Sequence, residues 1–433
     1  MTGRPAILGG TPIRAGKSWP HWPQWDDTER ELLGEVLDSG AWSSAQGEQA
    51  ARWATEFAAF QDCHHGLALT NGTHAMEAAL DACEVGEGDE VIVPALTFVA
   101  TATAVLAVNA TPVFVDVDDD SLCIDVAAAE AAVTDRTRAI LPVHIAGTAC
   151  DMDALVELCD RRGLVLVEDC AHAHGTRWRG RGAGSFGSFG CFSFEASKLM
   201  TAGEGGALIT NDDALRARAW SYVNGGRVEG EHGYHHASYG TNLRMTEWQG
   251  AVLRGQLQRF PEQHRIREER ANRLDAELAK IPGVRPQGHD PRMDSRGRYS
   301  YLFHYDAQEF AGLSLPAFER ALTAEGIVGG GSYPSLNALE LFREGRFEPR
   351  LRASAPRIDY AALDLPRAQH AAASTIWLDH RMLLAEADDV LDIARAVSRI
   401  AAHAPAVASQ REPGALRRRI TAAARRVVAP HKR

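Results

Sequence analysis

The chain is predicted to be an α/β protein, with a large domain built on a mainly parallel sheet sandwiched by helices and a smaller α+β domain after it. Three observations predict this. Short apolar runs at 67–70, 90–93, 111–116, 139–143 and 164–168 alternate with helical patterns at 75–83, 99–108, 126–133 and 152–161. Strands separated by helices pair in parallel, with both faces of the sheet covered. From about residue 260 the texture changes to a long helix over 262–280, an alternating strand at 299–305 and a helix over 315–325. A length of 433 residues, 45% apolar and 24% charged, suits two or three soluble domains.

The elements follow in order. Residues 9–25 are rich in Pro and Trp without periodicity and read as an extended arm, whose Trp19, Trp22 and Trp25 are expected to cover an apolar surface on the same subunit or on a partner. Asp26 and Asp27 cap a helix over 28–39, with Leu32, Leu33, Val36 and Leu37 at helical spacing, and Gly40 ends it. A second helix is expected over 48–60, before the βα alternation begins. Beyond 208–210 come a helix over 214–224 and a Gly- and His-rich loop over 225–240, long enough to be functional or mobile. The domains are placed at 1–258 (large, with the arm), 259–404 (small) and 405–433 (basic tail). Within the tail, Leu416, Ile420, Ala423 and Val427 lie at helical spacing among arginines, against the simpler reading of a frayed terminus.

Composition excludes several classes. The formal charge is -11, but residues 411–433 hold eight basic residues against Glu412, so the rest carries -18. An acidic body is a poor nucleic-acid binder, because phosphate neutralisation supplies most such affinity. The N-terminus lacks the apolar core of a signal peptide and no membrane span is visible, which points to a cytoplasmic enzyme with no membrane partner. The seven cysteines are scattered without a CxxC or His-rich grouping, which argues against a disulfide framework and against a metal site, and leaves them as small buried residues.

One cofactor site organises the chain. Lys198 follows the apolar run 190–194 and precedes the Gly-rich turn 203–206, so it sits at the mouth of the sheet, where its amine can form a Schiff base. Asp169 ends the strand over 164–169. Pyridoxal phosphate needs this pair, a lysine for its aldehyde and an aspartate to keep its ring nitrogen protonated. Either residue alone has an ordinary reading, as a solvated loop lysine or as a helix cap. Asn71-Gly72-Thr73 follows the first strand and opens a helix, where free N–H groups and the helix dipole can hold a phosphate. Phe98, after the second strand, offers an aromatic face or packs in the core.

Asp169-x-x-His172, Ser193-x4-Lys198 and Gly203-Glu204-Gly205-Gly206 resemble the sugar and cyclitol aminotransferase family called DegT/DnrJ/EryC/StrS, over residues 6–402. The resemblance implies the aspartate-aminotransferase-like fold, pyridoxal 5'-phosphate, and an obligate homodimer with shared active sites. It also implies roles. Phe98 stacks on the cofactor ring, Asp169 pairs with its nitrogen, His172 lies beside its hydroxyl, Ser193 bonds the phosphate with Gly72 and Thr73, and Asn242 reaches the neighbouring subunit's phosphate. Residues 69–74, 168–175, 333–337 and 377–381 look most like the glutamine-dependent scyllo-inosose and 2-deoxy-scyllo-inosose aminotransferases, with Tyr333 to Asn337 and Trp377 to Arg381 suited to a polyhydroxylated ligand. The expected partners are thus a keto-cyclitol or keto-sugar and an amino donor, glutamine or glutamate. Transfer to a nucleotide-linked keto-sugar, 3-amino-5-hydroxybenzoate synthesis and a regulatory protein with a retained fold stay open.

Overall fold

The computed structural model describes residues 3–231, 233–347 and 357–410. The amphipathic basic helix expected in the tail lies outside them. No helix among the described residues is long and apolar enough to cross a membrane.

Two helices open the large domain. α1 (Asp27–Ser39) starts at Asp26, whose carboxylate accepts the Thr28 N–H while Glu29 accepts the Asp26 N–H, and it ends on left-handed Gly40. α2 (Gln49–Phe60) buries Trp53 and Phe57. The alternation then follows as β1 (His65–Leu69), α3 (Gly72–Ala82), β2 (Glu90–Pro94), α4 (Ala100–Ala107), β3 (Thr111–Val115), α5 (Val126–Ala131), β4 (Thr137–Ile140), α6 (Met152–Arg162) and β5 (Val165–Asp169). A small hairpin, β6 (Arg177–Trp178) and β7 (Arg181–Gly182), precedes β8 (Phe189–Ser193), β9 (Gly206–Thr210) and α7 (Asp213–Val223).

Seven of these strands form one sheet in the order β1-β9-β8-β5-β4-β2-β3. Every pair in it is parallel except those made by β9, which runs antiparallel to both β1 and β8. Strands β2, β8 and β9 are buried along their whole length, as expected where helices cover both faces.

α8 (Glu247–Leu278) begins well before the expected start at 262. Its cap is the Thr246 and Gln249 box, and Pro261 lies inside it. The domain limit at 258/259 therefore falls within a continuous helix. After α8 come β10 (Val284–Pro286), β11 (Met293–Ser295), β12 (Ser300–Tyr305), α9 (Leu315–Ala324), β13 (Gly329–Gly331) and β14 (Thr375–Asp379), with a four-stranded sheet in the order β10-β12-β14-β13.

Two further boundaries differ from the expectation. The start of the arm packs on the C-terminal core, not on the large domain: Ile7, Leu8, Ile13 and Trp19 cover it. Glu325, wholly buried there, accepts the Ala6 and Ile13 N–H groups at 2.9 Å and pairs with Arg399 at 3.1 Å, so the arm supplies donors that this buried carboxylate needs. Conversely, Leu336, Phe342, Tyr360 and Ala368 join the core of the large domain. Tyr360 donates to the Pro112 carbonyl at 2.6 Å, and Asp116 accepts the Arg367 and Ala368 N–H groups. The described residues 225–231 and 233–240 are irregular, with Tyr234 and Tyr239 exposed.

Candidate active site

A cavity of about 880 Å³ opens where β1, β2, β4, β5 and β8 end. Their carboxyl ends are where open α/β sheets bind ligands. Gly72, Thr73, Phe98, Asp169, His172, Ser193 and Lys198 all line it; Asn242 does not.

Lys198 lies in the turn between β8 and β9. The turn is held by the Phe194 carbonyl, which accepts the Ala202 N–H at 3.2 Å and the Thr201 hydroxyl at 3.0 Å, and by the Lys198 N–H donating to Glu195 O at 2.9 Å. The lysine side chain is largely buried, with Nζ 4.2 Å from the centre of the Tyr299 ring. Asp169 ends β5 on the cavity floor. Its Oδ2 accepts the Thr101 hydroxyl at 2.8 Å and its Oδ1 the Ala171 N–H at 3.1 Å. Burial pushes its carboxyl above the ordinary range, opposed by those two hydrogen bonds and by the Lys198 amine.

The anion end is built from β1, α3 and β8. Asn71 caps α3, its side chain accepting the His74 N–H at 2.9 Å, which leaves the Gly72 and Thr73 N–H groups in a first turn with no internal acceptor. A Cβ on Gly72 would stand 2.8 Å from the Ser193 Cβ, so glycine lets the helix start close on the strand that carries this hydroxyl. Phe98 is 54% exposed over the cavity, its ring 6.0 Å from that of Tyr333.

His172 is buried and stacks on Tyr299 at 4.0 Å. Its Nδ1 accepts the Ala146 N–H at 3.3 Å, so the ring proton sits on Nε2. Burial, then the Lys198 amine, holds its pKa well below the ordinary value and keeps it neutral. Asn242 is exposed and accepts the Arg244 N–H at 3.5 Å, whereas Arg244 itself lines the cavity.

Thr101, Tyr299, Arg244 and Gln249 are among the wall residues that escaped the sequence reading. Thr101 follows Thr97 by one helical turn, with their hydroxyls 2.9 Å apart, a spacing visible in the sequence. Tyr299 comes just before β12, where it reads as part of a core strand. Of the two clusters proposed for a polyhydroxylated ligand, Tyr333 lines the cavity and Trp377 backs it at 5.3 Å. Asn337 is instead buried, donating to Leu363 O, and Arg381 pairs with Asp379.

The cysteines are all buried, yet Cys170 is not isolated: its sulfur lies within 4.8 Å of His144 and Glu168 ligand atoms. The other two members are already engaged. His144 accepts the Cys150 N–H through Nδ1 and donates to Glu168 from Nε2, and Glu168 also accepts the Gly184, Phe186 and Gly187 N–H groups. This is a latch for the loop before β8.

The fit to a flat, phosphate-bearing aldehyde rests on this donor set: an N–H cradle with a hydroxyl, a carboxylate on the floor, an aromatic face above and an amine at the mouth. The fold is that of the aminotransferases. The chain belongs to the DegT/DnrJ/EryC1/StrS aminotransferase family, whose model matches residues 23–398. It is 40% identical over 413 residues to the L-glutamine:scyllo-inosose aminotransferase of Streptomyces griseus, covering 91% of this chain and 97% of that one. It is 38% identical over 417 residues to the L-glutamine:2-deoxy-scyllo-inosose aminotransferase of Micromonospora echinospora, covering 92% and 98%. Among solved structures it resembles 3-amino-5-hydroxybenzoic acid synthase, with a TM-score of 0.81 and 36% identity over 91% of this chain and all of the other.

Proposed function

We propose that the protein moves an amino group from glutamine to a keto-cyclitol of the scyllo-inosose or 2-deoxy-scyllo-inosose type, with pyridoxal 5'-phosphate as cofactor. The observation that carries this reading is the convergence of Lys198, Asp169, the Gly72–Thr73 N–H cradle and Ser193 on one cavity, together with the similarity to the two cyclitol aminotransferases. In this reading Gly72, Thr73 and Ser193 would bind the phosphate, Phe98 would offer its face to the ring, Asp169 would serve the ring nitrogen and the His172 Nε2–H the ring hydroxyl. Pyridoxal phosphate supplies an aldehyde that links to the amine and a protonated ring that takes up the electron pair left when a proton is removed.

The chain's own groups do the rest. Lys198 would hold the cofactor through its amine and be free to act as a base once a donor amine takes its place. Its free Nζ would then take the proton from the donor α-carbon and deliver it across the shared nitrogen to the former aldehyde carbon. Asp169, buried and held by Thr101 and Ala171, is fixed in place before any substrate arrives, so its negative charge costs no reorganisation when positive charge is needed beside it. Tyr299 and Tyr333 wall the side where a ring substrate enters, and Arg244 offers a cation to a carboxylate. The second substrate, a ketone, runs the same steps in reverse.

The assembly we propose is a homodimer with shared sites, Asn242 serving the neighbouring subunit's phosphate. Its exposure and its place off this chain's own cavity support that role.

The test is purified protein with glutamine against scyllo-inosose, 2-deoxy-scyllo-inosose and a nucleotide-linked keto-sugar. We expect turnover with a cyclitol ketone. Turnover of the sugar nucleotide alone would overturn the substrate, and release of an aromatised product would favour the 3-amino-5-hydroxybenzoate chemistry of the structural relative.

A further inference from the structure

The segment 195–198 carries Lys198, yet two of its carbonyls are held by side chains from opposite ends of the sequence. Trp22, on the arm, donates its Nε1–H to Ala196 O at 3.1 Å. His380, just after β14, meets Ser197 O with Nε2 at 3.1 Å. The two side chains also brace each other, edge to face at 4.6 Å between ring centres.

The direction of the second bond is fixed by chemistry. Arg267 Nη2 lies 3.2 Å from His380 Nδ1, and a guanidinium can only donate. Nδ1 is therefore the bare nitrogen, Nε2 carries the proton, and that proton points at a carbonyl that can only accept. Arg267 is an expensive way to achieve this. It comes from α8, is fully buried, and among the described residues its Nε and Nη1 have no hydrogen-bond partner. A buried cation with no carboxylate in hydrogen-bond contact is costly to keep charged. Its guanidinium meets the His380 ring and the face of Trp22, 5.3 Å from its central carbon, and the Asp379 carboxylate acts on it through space. Burial pushes the Arg267 pKa down to about 9 and, with Arg267 itself, holds His380 well below the ordinary histidine value, so the imidazole stays neutral with this one tautomer.

We propose that His380, oriented by Arg267 and braced by Trp22, is a positioning residue for Lys198: it pins the Ser197 carbonyl so that the lysine amine returns to the same point after each release from the cofactor. The proposal rests on the reading that Lys198 is the anchoring lysine. Ser197 is otherwise held by exposed contacts, its N–H and hydroxyl on Glu195 Oε2 at 2.9 and 2.7 Å and its Oγ 2.9 Å from Tyr299 Oη, so the less exposed His380 contact is the one with which water competes least. Displacement of a reacting group by about 1 Å can cost about a hundredfold in rate.

The experiment uses the full chain in three forms. His380→Phe keeps the ring edge toward Trp22 but removes the N–H and its acceptor. His380→Gln restores an N–H near the place of Nε2. Trp22→Phe removes only the indole donor and serves if His380→Phe does not fold. Wild-type protein that takes up pyridoxal phosphate, with a visible band absent from Lys198→Ala, first establishes the anchor, so later results bear on the positioning alone. We expect His380→Phe to lower the maximal rate of the half-reaction with glutamine about tenfold or more, with half-saturation changed less than about threefold. Backbone amides of residues 195–200 should exchange faster in the cofactor-free protein, and Gln should recover both. Trp22→Phe should show the same two effects to a smaller degree. A maximal rate and exchange equal to wild type in His380→Phe, or in Trp22→Phe if it alone folds, would overturn the proposal, as would a lowered melting temperature with an unchanged rate.

Discussion

At the scale of single residues, Lys198 and Asp169 stood out because Asp169-x-x-His172, Ser193-x4-Lys198 and the Gly-rich turn together resemble the family's motifs; the strands that carry them are neighbours in the sheet, with Asp169 opposite Cys191. What surrounds them was less legible. Thr101 and the Ala171 N–H reach Asp169 through a helix start and a turn, which no periodicity reports. Lys198→Ala should abolish turnover and the visible band of the bound cofactor while leaving the melting curve of the cofactor-free protein within a few degrees. Asp169→Asn should retain some cofactor and lose orders of magnitude in rate, since an amide cannot hold the ring proton. Near wild-type turnover by either variant would remove that residue from the site.

Three buried histidines set a pH dependence. His172, His174 and His380 are all held below the ordinary value, His174 to about 3, by burial first. The unfolded chain takes up their protons from about pH 6.5 downward while the folded chain does not, so their stabilising contribution is present above that pH and lost as pH falls. The loss is at most about 1.4 kcal/mol per pH unit for each histidine. Asp169 works the other way over part of the range, because its raised pKa lets the folded state take a proton before the unfolded one. We expect the melting temperature of the cofactor-free protein to drop between about pH 6.5 and 4.5, and His174→Phe, which suits the surrounding Phe57, Phe192 and Phe194 rings, to flatten that slope. An unchanged slope would mean that His174 is solvated.

At the scale of elements, long segments with clear ends were read well and short or misleading ones were not. α1 announced itself by Asp26 and Gly40. The strands β6, β7, β10, β11 and β13 have two or three residues each, too few for alternation to register. For α8 the decisive signal was the Thr246-x-x-Gln249 box, sixteen positions before the expected start at 262. The joint between α1 and α8 shows why both must be placed correctly. Glu29 not only closes the α1 cap but accepts the Gln256 amide at 2.8 Å and grips the Arg259 fork, the closest contact being 2.6 Å. Its side chain is 5% exposed and that of Arg259 20%. Glu29→Ala should therefore cost about 2–3 kcal/mol in denaturant unfolding, below the value for a wholly buried pair because Arg259 keeps some water. A loss under about 1 kcal/mol would show the joint to be held by apolar packing instead.

At the scale of the whole molecule, the βα rhythm revealed the sheet, but the division into parts was not a property of sequence texture. Glu325 draws the first residues onto the last domain, and Asp116 and Pro112 draw residues 360–368 back onto the first. Such contacts join residues hundreds of positions apart, and only the folded chain brings the partners together. The same limit applies to Asn242, which looks like a turn residue in the sequence and is exposed, off its own cavity, in the single chain. Sharing of sites between subunits has a consequence that single variants cannot mimic. If Asn242 completes the neighbour's phosphate site, Lys198→Ala and Asn242→Ala damage opposite halves of each site. A hybrid dimer then contains one site with both defects and one with neither. Random exchange of equal amounts makes half the dimers hybrids, so two nearly inactive proteins should recover about a quarter of wild-type activity after mixing under conditions that permit subunit exchange. Activity that stays at the sum of the two parents, in a mixture shown by mass to contain hybrids, would place Asn242 outside the catalytic assembly.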